Sequence, residues 1–361
     1  MVWASATSCA STVSHRSAAA WRADLENLGL ARVVVPFSLD REMREWLGER
    51  IPKGGDEMLR VQRLVEVLLD EDHLGIEYRR EPTLTAREVF DERSANCLAF
   101  THLFVGMARE IGLPVYFLEV RDLENYDREG DLVVHSDHIA VGLGPSHNLT
   151  IIDFATEQSS YRRVSPISDL EATALFYSNR GAEELRRGEN AAAQGWLEDA
   201  VRIAPGSAGA WVNLGVARRR SGDETGAERA YRQALTIDAS ETSAYQNLAT
   251  LLRMQGKHGE ALELMALTDH SGNRNPFAFL ALGDLSLRHG RADEAERFYR
   301  RAIRMHGEQA EPMAALGLLH VARGQHRAAE RLLRRASKLD ADQERVRQLR
   351  RRLDAERDGN S

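Results

Sequence analysis

Apolar residues recur at helical spacing in two stretches of the first half of the chain. Between Met58 and Asp70 they are Val61, Leu64, Val65 and Leu68. Between Asn96 and Ile111 they are Phe100, Phe104, Met107, Ala108 and Ile111, with Gly112, Leu113 and Pro114 as the stop. The pattern then changes to short strand-like runs, Val115–Val120, Leu132–Leu143 and Leu149–Phe154, the last two joined through a turn at Gly144–Asn148. Helices followed by an antiparallel meander predict an α+β class for this half.

The second half follows a different rule. Gly181, Gly215, Ala249, Gly283 and Gly317 recur at one constant interval, as do Ala193, Ala227, Ala261, Ala295 and Ala329. Gly188, Gly222, Gly256, Gly290 and Gly324 form a third register, and Leu197, Tyr231, Met265, Tyr299 and Leu333 a fourth. A fifth register, Ala200, Ala234, Thr268, Ala302 and Ala336, breaks only at Thr268. A fixed period of about 34 residues predicts two helices per unit, stacked as an all-α solenoid. The small residue of the first register marks close approach of helix A to helix B. The glycine of the third ends helix A in a left-handed cap, and the large apolar residue of the fourth fills the space between units.

Trp211, Leu214 and Gly215, followed by Ala227 and Tyr231 and with Pro205 at the closing position, make this half resemble the tetratricopeptide repeat over about 174–343. After it, Val346, Leu349 and Leu353 share one helical face, with Arg345, Arg347, Arg350, Arg351 and Arg352 opposite. That predicts a solvated capping helix over 344–361 and its tail. The predicted organisation is therefore a disordered tail over 1–20, a first domain over 21–170, five repeats over 174–343 and the cap.

Lys and Arg total 48 against 55 Asp and Glu, a net charge of −7, which argues against bulk nucleic-acid binding. No apolar run has the length of a membrane span. Two cysteines, Cys9 and Cys97, far apart along the chain, exclude a disulfide-rich scaffold and an all-cysteine zinc site.

Cys97 opens the second helix, where the positive end of the dipole favours thiolate. His138 falls in the middle strand run and Asp153 in the last, across a turn from it. A cysteine at a helix end with His and Asp on neighbouring strands suits a nucleophile, a base and an orienting carboxylate. Each has a plainer role available: a small core residue, a hydrogen-bonded strand histidine, a turn aspartate. His135 alternates away from His138, and His102 lies about 140° around the helix from Cys97. No metal-ligand spacing stands out among these residues, and no metal or cofactor is expected.

The stretch from Arg93 through Asn96 and Cys97 to Leu113 resembles the nucleophile helix of the transglutaminase-like (papain-like cysteine) superfamily. His138-Ile139-Ala140-Val141 and Thr150-Ile151-Ile152-Asp153-Phe154, which follow Cys97 in the order and at the intervals that suit that core, resemble its His and Asp strands. The arrangement resembles bacterial proteins in which such a domain precedes tetratricopeptide repeats. The resemblance implies Cys97 as nucleophile, His138 as general base and acid, and Asp153 as orienter. It implies attack on a peptide or protein amide to give a thioester, resolved by water (protease or amidase) or by an amine (transglutaminase). Crosslinking animal transglutaminases carry a tryptophan after the nucleophile where this chain has Leu98, a departure that puts crosslinking in doubt. The backbone N–H of Cys97 and the Asn96 side chain are candidate oxyanion donors, with helix capping the plainer role of Asn96.

In the repeats, Asn179, Asn213 and Asn247 recur at one helix-A position, and Arg219 and Arg253 at another, with Arg220 and Arg288 nearby. These predict a groove for a protein partner, amides holding peptide backbone and guanidinium groups its carboxylates. The alternative to the enzyme is a non-catalytic interaction scaffold that retains the first domain. As written, the chain reads as cytoplasmic; Cys9, in Ala6–Thr12, also resembles a lipoprotein attachment site if the true start lies upstream.

Overall fold

The structure, a computed structural model, describes residues 17–129, 132–144, 149–154, 164–261, 264–265, 276–288, 290–305 and 309–359, with side chains at 121–138, 276–278, 285, 305 and 357–359 outside that description. The chain divides into two compact units. One takes residues up to 129 together with 134–230, and the other 130–133 together with 231 onward.

The first unit opens with α1 (Ala18–Asn27), which Ser17 caps, so the chain is already helical at 18–20, where the Ala/Ser-rich composition predicts a tail. Then come α2 (Arg41–Arg50), α3 (Glu57–Leu69), α4 (Ala86–Glu92) and α5 (Cys97–Glu110). Asp40, Asp56 and Thr85 cap α2, α3 and α4 through their side chains. The predicted helices over 58–70 and 96–111 are α3 and α5. The apolar residues of α5 face inward on nearly every side, and the helix packs against α2, α3, α4 and β3. At Gly106 the chain crosses α5 closely: a Cβ there would stand 2.4 Å from the Phe37 carbonyl oxygen.

Strands β1 (Glu77–Tyr78) and β2 (Ser94–Ala95) form a short parallel pair that the sequence pattern does not reveal. The main sheet holds β3 (Val115–Glu129), β4 (Leu132–Leu143), β5 (Thr150–Ile152) and β6 (Val164–Ile167) in the order β5-β4-β3-β6. β5 pairs antiparallel with β4 and β6 antiparallel with β3. The strands predicted over 115–120, 132–143 and 149–154 are thus present, and β6 adds a fourth.

The chain then enters α6 (Asp169–Arg187), begun by a reciprocal Ser168–Glu171 capping box. α6 spans the predicted boundary at 170–174, so the sheet runs straight into the first repeat. α7 (Asn190–Ile203) and α8 (Ala208–Arg220) follow, and α9 (Glu224–Ile237) crosses from the first unit into the second. The first repeat is tied to the residues before it by polar contacts. Arg109 makes a two-pronged pair with Asp169 at 2.7 and 2.9 Å. The Tyr177 hydroxyl accepts from Val34 N–H at 2.7 Å and donates to Arg32 O at 2.8 Å, and burial pushes its pKa up to about 12. Asp199, fully buried, accepts from the N–H groups of Ala31 and Arg32 at 2.9 and 3.2 Å.

The second unit contains α10 (Thr242–Met254), α11 (Pro276–Arg288), α12 (Ala292–Met305), α13 (Ala310–Ala322), α14 (His326–Leu339) and α15 (Glu344–Gly359). The repeat chemistry is realised along both units. Gly188, Gly222, Gly256, Gly290 and Gly324 all have left-handed φ, between 70° and 85°. A Cβ on Gly181 would meet Leu197 at 2.5 Å, and one on Gly283 would meet Tyr299 at 2.3 Å. At Gly317 the close neighbour is Leu349 of α15, at 2.4 Å. Val346, Leu349 and Leu353 are buried against α13 and α14, as a cap requires. Arg345 departs from the solvated face predicted for it. It forms a two-pronged pair with Asp284 and approaches Glu311, because the cap sits on the last A helices and brings this position inward.

His102 lies wholly in the core of the first unit, beside the Phe37, Phe117 and Phe176 rings, and its Nε2–H donates to Ala172 O at 3.2 Å. Burial lowers its pKa from 6.5 to about 3, against smaller opposing contributions from the Ala172 and Leu98 carbonyls. The unfolded chain takes up this proton below about 6.5 and the folded chain only near 3, so protonation favours unfolding. The stability this ring contributes is in place above 6.5 and is lost as pH falls toward 3. Urea denaturation of His102→Gln, whose amide can still donate to Ala172 O, should show a shallower fall in stability over that range than the wild type. Equal slopes would show that the ring does not control acid stability.

Candidate functional site

The residues around Cys97 are placed by the turn from α4 into α5. Arg93, with a left-handed φ of 51°, ends α4, and β2 then pairs Ser94 with Glu77 and Ala95 with Tyr78. The Arg79 N–H donates to Ala95 O at 2.9 Å, which fixes the backbone two residues before the cysteine. Asn96 is the N-cap. Its Oδ1 accepts from Ala99 N–H at 2.9 Å, while Nδ2 donates to Thr83 Oγ1 at 2.8 Å and to Arg80 O at 3.3 Å. With both amide hydrogens engaged and only 7% of the residue exposed, Asn96 serves as a cap, not as the free oxyanion donor predicted for it. Cys97 begins α5 as a half-buried free thiol.

Tyr78 belongs to this neighbourhood. Its hydroxyl is held above its usual range first by partial burial and then by the negative charge of a Cys97 thiolate, with Arg80 opposing. Sequence reasoning does not find Tyr78, because only the two-residue parallel bridge brings it beside the cysteine.

Thr83 leads from the cap to the first repeat. Its N–H and hydroxyl both donate to Glu183 Oε1 at 2.6 Å, and Glu183, 1% exposed, pairs through Oε2 with Arg180 at 3.1 Å. One signal for Glu183 was present in the sequence: the equivalent positions of the later units hold Ala217, Leu251, Leu285 and Leu319.

Of the other residues expected at the triad, 138 lies in β4 and Asp153 just past the end of β5. The β4–β5 register pairs Val141 with Ile152, which sets residue 153 opposite Ala140 and two positions along from 138. Phe154 stacks on Phe100 at 4.0 Å and on Phe104 at 5.4 Å between centroids, so the end of β5 lies against the first turns of α5. Asp153 is half-buried. The side chains of His138 and His135 lie outside the described residues, as does Cys9. His102 points into the core, away from any role at the thiol. Among the described residues no cluster of three or more His, Cys, Asp or Glu could hold a metal ion, and no helix is long and apolar enough to cross a membrane.

The asparagine register differs from expectation. Asn179 is half-buried, but Asn213 is 1% exposed and donates to Ser178 Oγ at 3.1 Å, and Asn247 is fully buried. Asn213 and Asn247 therefore do not line an open face. Arg220 donates to Leu185 O at 2.6 Å, satisfying a carbonyl of the last turn of α6. Arg219 and Arg253 are half-buried, and Arg288 is exposed.

Family models described as tetratricopeptide repeat match residues 179–244 and 247–310, and a second such model matches 286–353. Residues 179–244 and 247–353 are thus similar to tetratricopeptide repeats. Solved structures similar to this chain include PilF of Pseudomonas aeruginosa, 22% identical over 52% of this chain and 85% of that one, with a TM-score of 0.45. MamA of Desulfovibrio magneticus RS-1 is 19% identical over 47% of this chain and 97% of its own, at a TM-score of 0.37. YrrB, described as a tetratricopeptide-repeat protein with an unusual peptide-binding site, is 16% identical over 49% and 92%, at a TM-score of 0.36. No protein of curated function matches the chain.

Replacing Glu183 by Ala should destabilise the first unit by about 2–4 kcal/mol, because the Thr83 N–H and hydroxyl lose the acceptor they share and Arg180 its counter-ion. Glu183→Gln, which keeps a carbonyl oxygen for Thr83, should recover a large part of that loss in the same denaturation measurement.

Proposed function

We propose that this protein works by holding a protein or peptide partner with its tetratricopeptide repeats. The single observation that supports this best is the repeat itself, matched over 179–353 and built as paired helices with left-handed glycine ends. Stacked units of this kind present a long surface with no chemistry of their own. Arg219 in the first unit and Arg253 in the second, each with a partner within the protein, and the exposed Arg288 stand near the ends of A helices, and partner contacts are assigned to them unit by unit. Guanidinium groups at a recurring repeat position suit a peptide that carries carboxylates. Pull-downs with Arg219→Glu, Arg253→Glu should lose partners that the wild type recovers, and the wild-type complexes should weaken with salt. Identical partners for both proteins would reject these contact residues.

A second reading concerns Cys97. The half-buried thiol on the first turn of α5, with Phe154, just past β5 and next to Asp153, packed on that helix, supports a Cys97-His138-Asp153 acyl-transfer site of the transglutaminase-like kind. The thiolate would attack an amide carbonyl, His138 would pass the thiol proton to the leaving amine, and water or a second amine would release the thioester. Intact-mass measurement after iodoacetamide at about pH 6–7 should then show rapid single labelling that Cys97→Ala abolishes and His138→Ala slows. A rate no faster than that of a free cysteine would leave the interaction reading standing alone.

A further inference from the structure

The B helices of the last two repeats carry cations in register. Arg297, Arg304, Arg331, Arg334 and Lys338 are all exposed, and so is Arg327 one turn before them on α14. Arg297 and Arg331 stand one full repeat apart at the same position of the unit, and Arg304 and Lys338 share another. On α14 the sequence spacing of Arg327, Arg331, Arg334 and Lys338 puts all four charges on one helical stripe about 16 Å long.

The nearby acids are already engaged. Asp293 and Glu296 pair with Arg323 at 2.7 and 2.6 Å, Glu296 also takes Arg300 at 2.6 Å, and Glu294 takes Arg291 at 3.5 Å. Glu330 has a partner as well. Among the described residues none of the six exposed cations has an acidic partner. Complementing the helix dipole accounts for a cation in the last turn, as at Arg304 and Lys338, but not for Arg297, Arg327 or Arg331 farther up their helices.

We infer that this outer face of the last two repeats docks an acidic protein segment, its carboxylates spaced to meet rows of guanidinium groups. Two observations favour that class of partner. Among the described residues of α12 and α14, Ala295, Tyr299, Ala302, Ala329 and Ala336 are buried in the core and Leu339 alone is a large exposed apolar side chain, which makes no apolar stripe to enter a membrane. Phe298, beside Arg297, is half-buried with its ring tilted against Phe279, and the whole chain is negative at −7, which disfavours a nucleic-acid partner. Arginine forks pair bidentately with carboxylates, and an acidic segment needs neither a ring nor an apolar anchor to be held. The site goes beyond the partner reading above, because it lies on B helices while those contacts lie on A helices.

The test uses the full chain and a fluorescent helical peptide with glutamates at i, i+4 and i+7, its glutamine analogue serving as control. Anisotropy should show binding of the glutamate peptide that weakens with salt, and little binding of the analogue. Arg297→Glu, Arg331→Glu, Arg334→Glu should weaken it at least about tenfold. If charge reversal perturbs the circular-dichroism melt, the corresponding triple glutamine variant serves in its place. Arg22→Glu, Arg41→Glu, a charge reversal at exposed positions outside both sets of contacts, should bind the peptide like the wild type. Unchanged binding in the outer-face variant, equal loss of binding in that control, or tighter binding of a single-stranded oligonucleotide or phosphatidylserine vesicles would each overturn the inference.

Discussion

Two carboxylates buried in the first repeat govern how the first unit is built. A carboxylate removed from water is tolerated only when its lone pairs are met by donors, and stripping one partner from such a group costs about 3–5 kcal/mol. Glu183 is met by Thr83 and Arg180, and Asp199 by the backbone of Ala31 and Arg32 and by Arg202. Most of those donors come from residues far earlier in the chain. The first repeat can therefore bury these two groups only when residues 31–32 and 83 lie against it, and those residues find their acceptors only there. This mutual requirement ties α6 and α7 to the residues before them, so the first compact unit does not stop where the repeats begin.

The repeats were legible because their constraints are local and periodic. A left-handed helix end asks for glycine wherever it occurs, and a large residue facing a small one is needed at each crossing, so both features return in unit after unit. Legibility failed where a unit lacks the usual neighbour. Gly317 meets Leu349 because α15 packs directly on the fifth unit, at the place an A helix takes elsewhere in the array. Arg345 turned inward for the same reason, since a cap helix touches the preceding A helices through positions that a free helix would leave in water. At the other end of the array, Glu183 stands in an apolar register because its neighbour is Thr83 and not another repeat.

Around Cys97 the sequence showed the elements but not their junctions. Apolar spacing located α5, and its cysteine fell at the first helical position as expected. The donors that hold Asn96 come from its own cap geometry and from Thr83 and Arg80, more than ten residues upstream and linked to it through a two-residue parallel bridge. A bridge that short has no periodicity to detect. The consequence is chemical. With its amide spent on Thr83 and Arg80, Asn96 has no side-chain hydrogen left to give a ligand at this end of α5.

Asn213 and Arg331 show together why a recurring position does not by itself identify a contact surface. Both stand at repeat positions where the same residue type returns, and spacing alone assigns each to a face. Asn213 is withdrawn because its amide finds a hydroxyl, Ser178, at hydrogen-bond distance within the first unit. Arg331 stays exposed because the acids of the neighbouring helix are already bound to Arg323 and Arg300. What decides availability is thus the accounting of partners around each group. The net charge of −7 averages over that accounting, and it conceals a positive surface on the last two B helices within an acidic chain.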